Sequence, residues 1–193
     1  TPIKSSAASD VYKRQVRYMK CFKRITNMAL AKEWMRKDPF YGYKMAQDET
    51  DPVFLTYPEL KSIMEKEFTI PRLALVRDIF VFAAFTGLAF ANVSTLTKDN
   101  LVQDNNGDWW IRKGRVKLER RHRASSVCNI PLLPVPLAIL KKYEEHPICR
   151  KKSLCLPVIC NQRMNSYLKE IADLCNIRKN LTTHTAKHSK IYI

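Results

Sequence analysis

The chain has 193 residues, of which 46% are hydrophobic, and its 34 Lys and Arg against 18 Asp and Glu give a net charge of +16. This length fits about one domain with part of another, and the hydrophobic content excludes disorder throughout. No apolar run is long enough to span a bilayer, and no secretory signal precedes the first predicted helix. The six scattered cysteines are unlike the framework of a small disulfide-rich protein, so we expect a reducing, cytoplasmic compartment.

The positive charge is concentrated in one short segment. Its seven basic residues are Arg112, Lys113, Arg115, Lys117, Arg120, Arg121 and Arg123. Such a cluster predicts a polyanionic partner, and double-stranded DNA is the leading candidate. The alternative is a basic surface that only keeps the protein soluble.

Residues 1–15 show little periodicity, and we expect them to be a disordered leader or a non-native readthrough segment. A flexible native arm is the alternative. Residues 16–37 have apolar side chains at helical spacing, and Asp38-Pro39 should end that helix. Residues 38–53 are polar and turn-rich, which predicts a linker to a second domain, residues 54–193.

The second predicted domain begins with helices. Thr56, Pro58 and Glu59 form a helix-start pattern, and this helix should stop near Phe68. Residues 79–85 are apolar all round, which predicts a buried central helix. Gly87 should end it, because glycine takes positive φ at little cost. A short amphipathic helix is predicted for residues 91–96.

The remainder alternates strands and helices. A turn at residues 104–108 should lead into a strand at 109–111, which continues to 118 as strand or hairpin tip, and residues 127–132 form another strand. Helices are predicted at 137–145 and 164–175, a short strand at 154–159, and a last helix start after Thr183. The predicted fold is mostly α with a small antiparallel β-sheet.

Several blocks of this sequence resemble the tyrosine recombinases, the phage-integrase family. They are FVFAAFTGL, NIPLL, NQRMNSYLKEIADLC and NLTTHTAKH, and they are most similar to site-specific integrases of mobile elements in Bacteroides-like bacteria. The resemblance implies that residues 16–37 are the last helix of an N-terminal, DNA-binding helical domain. It also implies that residues 54–193 form a catalytic-like domain.

The family chemistry is attack of a tyrosine on a DNA phosphodiester, which leaves a 3′-phosphotyrosyl link. The resemblance assigns proton transfer to His184. It places Ala89 and Lys187 where the family has its two phosphate-binding arginines. Alanine supplies no donor, and lysine is a point charge without the bidentate fork of arginine.

Two further roles have two candidates each. Arg77, twelve residues before Ala89, either replaces the missing arginine or forms an interhelical ion pair. Lys117 is the first candidate for the hairpin lysine that protonates the leaving oxygen, and Lys113 is the second. Either lysine can instead be a simple phosphate contact.

The nucleophilic tyrosine is expected on a helix well beyond His184, and Tyr192 is too close to that histidine to occupy it. We therefore expect a chain truncated at its C-terminus and inactive as given. The intact family implies a tetrameric synapse on DNA. The alternative function is a non-catalytic DNA-binding module, either a decayed recombinase or a competitor; an RNA-binding helical protein is a weaker third interpretation.

His146, Cys149, Cys155 and Cys160 suggest a zinc site at first sight. Structural zinc sites usually pair ligands across turns of two to four residues, and no Cys-x-x-Cys occurs here. Core or surface thiols are favoured. We expect no metal and no small-molecule cofactor.

Overall fold

The computed structural model describes the backbone of residues 6–43, 53–114 and 127–189, and the side chains of these ranges from residue 14 onward. The chain divides into two compact units, Thr1–Asp51 and Pro52–Ile193. Among the described residues, no helix is both long and apolar enough to cross a membrane.

In the part of the first unit that the structure describes there is one helix, α1, Ser6–Ala31. It therefore begins within the predicted leader and ends before Lys37, so the boundaries 16–37 were wrong. The end is a Schellman motif: Glu33 takes φ 60°, and the amides of Glu33 and Trp34 donate to the carbonyls of Leu30 and Ala29. Glutamate rarely takes this left-handed conformation. Glycine is the usual residue at this position, and its absence here explains why the end of the helix was not predicted.

Within the described residues, the second unit contains seven α-helices and a small sheet. The helices are α2 Tyr57–Glu65, α3 Pro71–Thr86, α4 Phe90–Val93, α5 Pro134–Tyr143, α6 Pro147–Lys152, α7 Asn161–Leu174 and α8 Thr183–His188. The strands are β1 Leu101–Gln103, β2 Trp109–Gly114 and β3 Val127–Pro131, with a 3₁₀ turn at Lys98–Asn100.

Helix α3 is the centre of this unit, as its all-round apolar sequence predicts. Ile79, Phe80 and Phe82 are at most 2% exposed, and α2, α5, α7 and α8 all pack against the helix. Pro71 occupies its first turn, where a missing N–H costs nothing. Gly87 ends it at φ 65°, which confirms the predicted stop.

The sheet is antiparallel in the order β1-β2-β3. Ile111 of β2 is fully buried and pairs with Leu101 on one side and Ile130 on the other. The carboxylate of Asp104 shapes the β1–β2 turn by accepting from the amides of Asn106 and Asp108, both at 2.9 Å. The fold is thus mostly α with one small antiparallel sheet, which confirms the predicted class.

Other predicted boundaries were wrong. Residues 154–159 are not a strand and make one isolated bridge, Leu154 with Thr97, because Pro157 has no N–H to extend a ladder. Helix α5 starts at Pro134, since two prolines fit its first turn, and α6 and β1 were not predicted.

Candidate active site

The start of helix α8 is held in place by hydrogen bonds to its own cap and to α7. Thr182 is the N-cap, and its Oγ1 accepts from the amide of Thr185 at 3.3 Å. The Thr183 amide donates to Asn165 Oδ1 at 2.9 Å, and its hydroxyl donates to Asn161 Oδ1 at 2.8 Å. The first turn of α8 is therefore docked on the first turn and a half of α7.

This docked turn presents His184 and Lys187 to solvent. Both side chains are exposed. His188, one turn further, is exposed too, and its Nε2 lies 3.0 Å from Nε2 of His184. His188 was not among the predicted site residues, although the i, i+4 spacing of the two histidines already places them on one face of a helix.

The corner between α3 and α4 lies beside this turn. Ala89 follows Leu88 as the N-cap of α4, and its methyl group offers no donor. Phe90 and Val93 of α4 line one small cavity together with Thr183 and Ala186 of α8. The structure thus brings the Ala89 corner and the His184 helix into one neighbourhood.

Arg77 has protein partners on α2 and α3. Its Nη1 donates to the carbonyls of Met64 at 3.0 Å and Lys66 at 2.9 Å, at the C-terminal end of α2. Its Nε donates to Asp78 Oδ1 at 2.6 Å. Helix C-termini leave carbonyls without intrahelical partners, and this guanidinium satisfies two of them.

Arg77 also points away from α8. A helix turns about 100° per residue, so Ile79 and Ala83 lie about 200° and 240° around α3 from Arg77. Those two residues line the cavity next to α8, whereas Arg77 lines a separate cleft with Met64, Val135 and Lys142. Arg77 and His184 therefore lie on opposite sides of the central helix.

Asp78 links α3 to α5. It is 5% exposed, and its Oδ2 accepts from Lys142 Nζ at 2.7 Å and from the Tyr143 hydroxyl at 2.8 Å. Burial and the neighbouring Asp78 carboxylate raise the pKa of Tyr143 well above its usual range. With Arg77 on its other oxygen, Asp78 joins α2, α3 and α5 in one network.

Part of the predicted basic hairpin, residues 112–123, is described. Arg112 is exposed on β2. Lys113 is half-buried, and its Nζ donates to the carbonyl of Thr95 and, at 3.1 Å, to Asn100 Oδ1. The first-choice lysine, Lys117, lies outside the described residues, as do Arg115, Arg120, Arg121 and Arg123.

The residues of the suggested zinc site have separate roles. His146 is the N-cap of α6, and its Nδ1 accepts from the Ile148 amide at 3.3 Å. Cys149 and Cys155 are buried while Cys160 is exposed. Burial, reinforced by Cys149, raises the pKa of Cys155 to about 11. Within the described part of the chain, no three His, Cys, Asp or Glu residues cluster as a metal site.

No protein-family model matches the chain, and no curated protein is similar to it in sequence. Solved structures are similar to it. The Tn1549 transposon integrase in complex with circular intermediate DNA superposes on 92% of this chain with a TM-score of 0.65 and 16% identity. A lambda integrase dimer bound to a COC′ core site covers 87% with a TM-score of 0.64 and 12% identity. The fold matches that of tyrosine recombinase catalytic domains.

A third solved structure superposes on the chain less closely. XerH site-specific recombinase bound to its difH substrate covers 72% of this chain with a TM-score of 0.53 and 19% identity. The chain spans 64% of the Tn1549 integrase chain, 59% of the lambda integrase chain and 41% of the XerH chain. At these identities the similarity establishes the fold.

Proposed function

We propose that this chain is the catalytic-domain portion of a site-specific DNA recombinase or integrase of a mobile element. The observation that carries the proposal is the recombinase-like fold with His184 and Lys187 exposed on one docked turn beside the α3–α4 corner. The similar structures contain a circular intermediate DNA with the Tn1549 integrase, a COC′ core site with the lambda integrase and a difH substrate with XerH. The net charge of +16 is suited to the same partner.

The proposed chemistry is cleavage and rejoining of duplex DNA through a phosphotyrosine link. His184 transfers a proton at the scissile phosphate, and Lys187 supplies one positive donor to the developing charge on the phosphorane. Lys117, or Lys113 in its place, protonates the leaving 5′ oxygen. Since Lys113 donates to Thr95 and Asn100, its use as the acid requires those bonds to break first.

We assign Arg77 a structural role in this scheme. Its guanidinium satisfies two carbonyls of α2 and lies across α3 from His184, so it does not replace the arginine absent at Ala89. The phosphate pocket then holds one donor fewer than the usual pair. The assembly proposed on DNA is a tetrameric synapse, and the similar lambda integrase structure is a dimer bound to a COC′ core site.

A suicide DNA substrate, nicked beside the cleavage site, tests the proposal. With the chain as given we expect salt-sensitive DNA binding and no covalent adduct, since Tyr192 follows His184 by only eight residues. With the nucleophile-bearing helix of a similar integrase fused to the chain, we expect a phosphotyrosyl adduct on a denaturing gel. His184→Ala in the fusion should abolish it, while His146→Asn should not.

A second candidate is a DNA-binding module without chemistry. It is favoured by Ala89, which provides no side-chain donor, and by Lys187, which cannot bind two phosphate oxygens in a fixed fork. Lys187→Arg in the fusion separates the two functions. Increased adduct formation supports the recombinase, whereas binding without any adduct in both forms supports the module.

A further inference from the structure

The two exposed histidines of α8 form a closely spaced pair of nitrogen donors. The Nε2 atoms of His184 and His188 are 3.0 Å apart, and the ring centroids are 4.4 Å apart with the rings nearly perpendicular at 80°. In the proposed DNA cleavage only His184 has a role, so the pairing of His184 with His188 has no function in that chemistry.

This separation is close to the bite of two imidazoles on one metal ion. Metal–nitrogen bonds of about 2.0–2.1 Å place two ligand nitrogens about 2.9 Å apart at a right angle, and about 3.4 Å apart at a tetrahedral angle. Histidines four residues apart on a helix are also the spacing that zinc-binding helices use. No backbone movement is therefore needed for chelation.

We propose that His184 and His188 form a two-histidine chelating site for a divalent late first-row metal ion. Imidazole suits Cu²⁺, Ni²⁺ and Zn²⁺, and the right-angle bite favours Cu²⁺ and Ni²⁺ over tetrahedral Zn²⁺. In the metal-free pair one Nε2 carries the proton that the other accepts. On binding, that ring changes to its Nδ1–H tautomer and the two imidazole rings turn, so that both Nε2 lone pairs face the metal and no net proton is released.

The helical turn that carries the pair is held at both ends. Asn165 binds the Thr183 amide at its start. At its end the hydroxyl of Ser189, which is 4% exposed, accepts from the Leu55 amide at 2.7 Å and donates to the Thr185 carbonyl at 2.8 Å. This support keeps the two Cα atoms one turn apart and reduces the ordering cost of binding.

The surroundings limit the affinity. Lys187 is exposed between the two histidines in the sequence, and its positive charge opposes a bound cation. Since the described residues hold no group of three donors, water would complete the coordination. We therefore expect a reversible site that is weaker than a structural zinc site. A metal bound there occupies Nε2 of His184 and blocks any role of that nitrogen with DNA.

Titration of the full, tag-free chain with Ni²⁺ alone tests this inference without DNA. We expect one Ni²⁺ per chain. Removing a group that merely supports a metal ligand costs about 10–100-fold in affinity, so removing a ligand by His188→Ala should cost at least about tenfold. The control is the double variant His122→Asn, His146→Asn, which removes the other two histidines and should bind Ni²⁺ normally. Asparagine preserves a capping group at position 146.

The Cu²⁺ form gives a second readout. Electron paramagnetic resonance should show coupling to two imidazole nitrogens in the parent chain and to one in His188→Ala, with unchanged circular dichroism. Unchanged Ni²⁺ affinity in His188→Ala, or loss of binding in the double control, would overturn the proposal. Because neither measurement involves DNA, the result is independent of whether the chain is part of a recombinase.

Discussion

The buried carboxylate of Asp78 accepts a 2.8 Å hydrogen bond from the hydroxyl of Tyr143, 65 residues further along the chain. The same carboxylate binds Arg77 through its other oxygen. Arg77 in turn binds the carbonyls at the end of α2. One buried charge on the central helix therefore links α2 and α5, whose residues line one cleft with Arg77 and Asp78.

Replacing Asp78 with asparagine should destabilise the second unit. The amide keeps the shape but loses the charge that faces Arg77 and Lys142, and hydrogen bonds to charged groups contribute about 1.5–3 kcal/mol each. We expect the free energy of unfolding in urea to fall by about 2 kcal/mol or more. Asp173→Asn, an exposed carboxylate on α7, is the control. Equal losses in both variants would contradict a structural role for Asp78.

Arg77→Ala should also act through stability. Two carbonyls of α2 lose their donor, and leaving a part-buried polar group without its partner costs about 1–3 kcal/mol. Arg77→Lys should recover part of the loss, because lysine restores one donor. Thermal unfolding measures the effect, and the salt-dependent DNA affinity of the folded variant should stay that of the parent. Normal stability combined with loss of cleavage in the fused chain would instead favour the phosphate-binding role.

Glu59 should contribute stability that acid removes. Burial opposes its ionisation, but hydrogen bonds from Lys179 and Thr56 outweigh burial and lower its pKa below the ordinary value of 4.5. Because the folded-state pKa is the lower one, this contribution is complete above the unfolded pKa and is lost as the pH falls through the folded one. In Glu59→Gln, stability should depend less on pH below about 4.5. Glu67→Gln, an exposed control, should retain the parent profile.

The basic hairpin should determine the salt dependence of DNA binding. Changing Arg120, Arg121 and Arg123 together to Ser should reduce the slope of log affinity against log salt by about one unit for each DNA phosphate that the protein no longer neutralises. Changing three exposed lysines elsewhere, Lys141, Lys151 and Lys152, should leave the slope nearly unchanged. Titration of a duplex at several salt concentrations measures both. Equal slopes for the parent and the Arg variant would exclude the hairpin from the interface.

Local chemistry predicted those elements whose signals lie within a few residues. Gly87 ends α3 as expected, because glycine readily takes the left-handed conformation that ends a helix, whatever packs around it. The end of α1 was mispredicted, since Glu33 takes the same conformation without a glycine to announce it. Residues 154–159 have the composition of a strand. Leu154 makes an isolated bridge with Thr97, and Pro157 lacks the N–H that would extend it.

The candidate site divides in the same way. His184, Lys187 and Ala89 were proposed from the resemblance of NLTTHTAKH and FVFAAFTGL to tyrosine recombinases, since each short motif lies within a few residues of the chain. The role of Arg77 depended on which face of α3 each neighbouring helix covers. Helical periodicity establishes that Arg77 and Ile79 point in opposite directions, but only packing shows that α2 covers one face and α8 the other.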